Sequence, residues 1–145
     1  MDVLSWEVKE FMESQPERKC TGIIFKINDE PVDAYKGLFQ PVYFGDIEYS
    51  HFFDNSLNNE EEYDPVLACC TCGQADCDSI RAFVTLSKEV IQWDIYNANG
   101  SFTREENLND RYFGTYIFDI NQYKITIKNL LDTVKIKKGD FNENY

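Results

Sequence analysis

The sequence predicts an α+β domain, with a mostly antiparallel sheet of four or five strands and helices packed on one side. Three stretches carry that expectation. Residues 79–95 alternate apolar and polar positions around a short break, as a β-hairpin does. Residues 111–118 (RYFGTYIF) have strand composition with aromatics on both faces. Residues 119–134 place Tyr123, Ile127, Leu130, Leu131 and Val134 at helical spacing.

In the hairpin, Ile80, Ala82, Val84 and Leu86 share one side, and Arg81, Phe83 and Thr85 the other. Ser87-Lys88-Glu89 turns the chain, and residues 90–95 return with Ile91, Trp93 and Ile95 on one side. Aromatics on both faces of 111–118 imply a central strand. Asp119 fits an N-cap, with Gln122 as its capping-box partner. Residues 139–145 (GDFNENY) read as a flexible tail, leaving residues 1–138 as a single domain.

Earlier in the chain the patterns are shorter. Residues 3–13 satisfy helical spacing through Leu4, Val8, Phe11 and Met12, and a short helix is expected there. The alternation of Leu4, Trp6 and Val8 also suits a strand. Residues 20–27 (CTGIIFKI) are expected as a strand ending in the turn 28–31. Residues 41–44 look extended, and 46–57 are expected to be helical, with Ile47, Phe53 and Leu57 on one face. Residues 66–70 (VLACC) form a buried strand, and 97–110 a loop.

The 145 residues suit one domain of ordinary size, able to bury a core without metal or disulfide. At 43% hydrophobic and 15% aromatic, the chain has the means to fill that core. Its formal charge is −12, so polyanionic nucleic acids and anionic membrane surfaces are disfavoured and a basic protein partner is attracted. The same charge also serves solubility. Residues 1–15 lack the basic head and apolar stretch of a signal peptide. With five cysteines, an odd count, a cytoplasmic location with reduced thiols is expected.

The cysteines concentrate at Cys69, Cys70, Cys72 and Cys77, with Cys20 apart. In an extended chain Cys70 and Cys72 face the same way, and a reversal through Gly73 brings Cys77 back to them. Three thiolates are thus candidate zinc ligands, but a closed structural site needs a fourth. Reduced cysteines packed as small apolar residues are the alternative. Asp64, Asp76 and Asp78 surround this turn and oppose thiolate formation, which disfavours redox chemistry.

The string Cys70-Thr71-Cys72-Gly73-Gln74-Ala75-Asp76-Cys77 resembles a group of small bacterial proteins of unknown function sharing the motif C-[ST]-C-G-x-x-x-C. In that group the motif follows a short apolar strand and precedes an alternating strand and a return strand with a Trp. Val66–Cys69, Ile80–Leu86 and Trp93 match. A later element, here Phe113-Gly114-Thr115-Tyr116-Ile117-Phe118-Asp119, leads into a helix opening on Gln122-Tyr123. The resemblance spans roughly residues 20–131. The chain departs from it at Ile95-Tyr96-Asn97-Ala98-Asn99, where many members carry Pro-His-Arg, and at Tyr112, one residue too close to Gly114. The resemblance implies no activity.

No nucleophile elbow, phosphate loop or dinucleotide fingerprint occurs, and the single histidine, His51, sits in an aromatic segment that suits packing. The acidic run Glu60-Glu61-Glu62-Tyr63-Asp64 is the candidate partner-binding segment, with 105–110 (EENLND) as a second acidic stretch. Ordinary solvated loops are the bland alternative. The favoured reading is a non-catalytic, acidic protein-binding protein, of the kind exemplified by bacterial immunity proteins that neutralise a basic toxin. The alternative is a thiol- or zinc-dependent protein using residues 70–77.

Overall fold

Two antiparallel sheets wrap one hydrophobic core, and the class expected from the sequence, α+β with antiparallel pairing, is the class observed. The computed structural model describes residues 1–14, 17–32, 39–53, 63–70 and 78–142, the side chains of 13–14, 49–50 and 137–142 excepted.

The first sheet is built on β1 (Leu4–Ser14) and β2 (Glu17–Ile27), paired from Leu4↔Ile27 to Ser14↔Glu17. The helix expected at 3–13 is therefore a strand. Its apolar residues fit both periods, and the eleven-residue ladder with β2 decides between them by pairing the backbone along its length. Leu4 is buried, Trp6 half-buried and Val8 exposed, while the indole Nε1 of Trp6 donates to Thr126 O at 3.1 Å. Asn28 and Asp29 adopt φ of 53° and 66°, giving the tight turn that β3 (Glu30–Pro31) follows.

The second sheet has the order β4-β6-β7-β8-β9, from β4 (Phe39–Gln40), β6 (Val66–Cys70), β7 (Asp78–Leu86), β8 (Val90–Asn99) and β9 (Tyr112–Asp119). Between the sheets the chain steps over Pro41. Phe39–Gln40 pairs with β6, whereas β5 (Val42–Tyr43) pairs with Gly22 and Ile23 of β2. A Cβ on Gly22 would sit 2.5 Å from Val42 O, so only glycine allows this approach. At the opposite border, Asp2 forms a parallel bridge with Phe118 of β9. β9 is thus an outer strand and not the central one its aromatics implied. Tyr112, Phe113 and Ile117 are exposed.

Where a helix was expected at 46–57, two single 3-10 turns occur, Phe44–Asp46 and Tyr49–Phe52, and 54–57 lie outside the described residues. The polar stretch 97–110, expected as a loop, extends β8 to Asn99 and then forms α1 (Arg104–Asp110). Thr103 caps it: its side chain accepts from Glu106 N at 3.2 Å, and Glu106 Oε1 accepts from Thr103 N at 3.2 Å.

α2 (Ile120–Asn142) begins where expected and continues past residue 138, into the stretch assigned to a tail. Asp119 Oδ2 accepts from the backbone N–H groups of Asn121 and Gln122. Gln122 does not return a capping-box bond. Its Nε2 donates instead to Leu4 O and Thr126 Oγ1, tying the helix to β1. Tyr123, Ile127, Leu130, Leu131 and Val134 are all buried, as their spacing predicts. Trp93 is the centre of an aromatic cluster, edge-on to Phe118 at 5.2 Å and to Tyr123 at 5.9 Å between centroids. α1 covers the other face of the sheet, where Arg81, Phe83 and Tyr96 lie.

Candidate functional site

Two regions concentrate polar chemistry: a buried network around Asp64 beneath α1, and the surface formed by α1 and the start of β9. The network is built by three separate parts of the chain. The segment before β6 supplies Asp64, the outer positions of β7 and β8 supply Arg81 and Tyr96, and the first turn of α1 supplies Arg104.

Asp64 is fully buried. Arg104 grips its carboxylate with Nε to Oδ2 and Nη2 to Oδ1, both at 2.8 Å, and Tyr96 Oη donates to Oδ2 at 2.5 Å. Arg81 Nη1 donates to the Asp64 carbonyl at 2.9 Å, and its Nε to Ser79 Oγ at 3.1 Å. The Arg104 guanidinium also lies 4.6 Å from the centre of the Phe83 ring. Burial pushes the Asp64 carboxyl above the usual range, while bonds from Arg104 and Tyr96 pull the other way. This arrangement fastens α1 and the residues before β6 to the sheet.

Asp64, expected in the partner-binding run, is therefore committed inside the fold, because its carboxylate completes a buried ion pair. Tyr63 is 41% exposed, its ring edge-on to the half-buried His51 at 6.2 Å. Burial lowers the His51 pKa below its ordinary value. Glu60, Glu61 and Glu62 lie outside the described residues.

Of the expected metal ligands, Cys70 ends β6 half-buried opposite Phe39, and Cys72 and Cys77 lie outside the described residues. Among the described residues no group of three metal-ligating side chains occurs. Cys69 is buried and its thiol donates to Asp46 Oδ2 at 3.7 Å. Burial, reinforced by the Asp46 charge, pushes that thiol up to about 12, so it is not a nucleophile near neutral pH.

The α1 surface is organised differently. Glu105, Glu106 and Asp110 of α1 are exposed, as are Phe102 before the helix and Tyr112 after it. A cleft of about 320 Å³ is lined by Phe102, Glu106, Asp110 and Arg111, with the Arg111 guanidinium over the Phe102 ring at 5.1 Å. Sequence reasoning noted these carboxylates but missed the helix that displays them, although Thr103 and Glu106 stand at capping-box spacing.

No family model, curated protein or solved structure matches the chain. Fold and site together define an antiparallel α+β protein with an acidic, aromatic surface. Among the described residues no helix is long and apolar enough to cross a membrane.

Proposed function

We propose that the protein is a non-catalytic binding protein whose acidic surface captures a basic protein partner, as an immunity protein neutralises a basic toxin. The observation that carries this reading is the cleft beside α1 in which the exposed Phe102 ring stands with the carboxylates of Glu106 and Asp110, with Glu105 exposed on the same helix and Tyr112 exposed just after it. Exposed aromatics supply apolar contact area, and the flanking carboxylates pair with Lys and Arg and steer their approach. A net charge of −12 extends that attraction beyond contact distance.

Affinity capture from the native host, at low and high salt, tests the reading. The wild type should retain one basic protein at low salt and release it at high salt. The double reversal Glu105→Lys with Asp110→Lys should lose it while keeping its far-ultraviolet circular dichroism, since exposed charges contribute little to stability. A partner held equally by both forms, or the lack of any salt-sensitive partner, would count against it.

A further inference from the structure

We propose that the free edge of β9, centred on Thr115, is where the basic partner docks, by adding one extended segment to the five-stranded sheet. This rests on the binding reading above and gives it a geometry.

Among the described residues β9 pairs with β8 along its length and, on its other side, only with Asp2. The contact with Asp2 shows which way the backbone faces. Ile117 O accepts from Asp2 N at 3.0 Å, and Ile117 N donates to Asp2 Oδ2 at 2.8 Å. Ile117 therefore turns its amide and carbonyl away from β8. Thr115, two residues earlier in an unbroken part of the ladder, turns its own the same way. Among the described residues nothing pairs with Thr115 on that side, and the next ladder irregularity falls between Ile95 and Tyr96 on β8. Asp2 also shows that this edge accepts an extended segment.

Side-chain chemistry favours a basic occupant. Beside the edge, a cleft of about 230 Å³ has a mainly apolar lining that includes Ile27, Val32, Ile95, Phe113 and Tyr116, with Glu30 as its one carboxylate. Alternate side chains of an added strand would enter it. The carboxylates of Asp2 and Asp119 belong to the same border, Asp2 on Ile117 and Asp119 at the strand's end. A second copy of this chain would bring these groups, and another −12, against themselves. An extended segment alternating Lys or Arg with apolar residues meets both the cleft and the charge.

The test uses the full chain and a fluorescent eight-residue peptide alternating Lys and Val. Thr115→Pro removes the edge-facing amide without touching the β8 ladder, a position where strands tolerate proline. Thr115→Val keeps the amide and removes only the hydroxyl, with its bonds to Asp94 and to the Tyr112 hydroxyl. The peptide should bind the wild type in a salt-dependent manner and slow hydrogen exchange at the Thr115 amide. Affinity should fall about tenfold in Thr115→Pro, the scale of one lost backbone hydrogen bond, and hold in Thr115→Val. Equal peptide affinity for Thr115→Pro and wild type, or an unprotected Thr115 amide, overturns edge docking. If Glu105→Lys with Asp110→Lys still abolishes binding in that case, the acidic-surface reading stands without it. Absence of any salt-sensitive peptide binding overturns the edge proposal, while host-partner capture still decides the broader reading.

Discussion

Arg104 and Asp64, forty residues apart in sequence, meet in a two-pronged ion pair with both contacts at 2.8 Å, and the pair is almost closed to solvent. Removing one member leaves a buried, uncompensated charge. Arg104→Ala is expected to destabilise the protein by about 3–5 kcal/mol in urea unfolding. The double variant Asp64→Leu with Arg104→Met should cost less than Arg104→Ala alone, because no charge is stranded. A double variant less stable than Arg104→Ala would show that the network contributes mainly through its other bonds.

Thr103 and Glu106 exchange hydrogen bonds at the head of α1, a seven-residue helix too short to persist without its cap. Thr103→Ala should cost about 0.5–2 kcal/mol. The loss should be local first: amides of α1 should exchange faster while those of β7 and β8 stay protected.

Gly22 lies where β5 crosses onto β2. Gly22→Ala forces a methyl group to within 2.5 Å of Val42 O, a backbone atom that cannot swing aside. A loss of about 1–3 kcal/mol is expected, comparable to overpacking a core. Unchanged stability would mean that the step over Pro41 yields readily.

How much of this could be read in advance follows from where each signal resides. The hairpin and α2 carry local periodicity with buried faces, β6 is a short apolar run, and all three formed as expected. β1 did not, because Leu4, Val8, Phe11 and Met12 fit a helix while Leu4, Trp6 and Val8 fit a strand, and the deciding partner is β2. α1 was hidden by polar composition, although its capping pair was present. The role of Asp64 had no local signal: it stands beside three glutamates, and only the fold brings Arg104 and Tyr96 to it. The aromatics of β9 looked like a central strand's, yet three of its bulky side chains face solvent, because β9 is the outer strand of its sheet.

Tyr123 joins α2 to two other parts of the core. Its hydroxyl donates to Phe52 O and accepts from Trp93 Nε1 at 3.1 Å, and burial drives its pKa well above the ordinary value. Tyr123→Phe keeps the ring but strands a buried carbonyl and a buried indole N–H. A loss of about 1–3 kcal/mol in thermal or urea unfolding is expected. Recovery of stability on also replacing Trp93 with Phe would assign part of that cost to the unpaired indole.

Cys69 provides a pH-dependent test. Its thiol has an ordinary pKa of 9.0 and is pushed up to about 12 in the fold, by burial first and the Asp46 charge second. Because the folded value is the higher one, the unfolded chain releases this proton first as pH rises. The neutral thiol's contribution is therefore complete below pH 9 and is lost progressively as pH climbs towards 12. Cys69→Ala removes that dependence along with some packing. The wild type should lose more of its urea midpoint than Cys69→Ala between pH 8 and pH 10.5, although it starts from the higher value. Iodoacetamide at pH 8 should leave Cys69 unmodified in the native protein and modify it in urea, as read by peptide mass spectrometry. Parallel midpoints for the two proteins, or native labelling of Cys69, would show that the thiol ionises in the fold and that the contact with Asp46 does not hold it neutral.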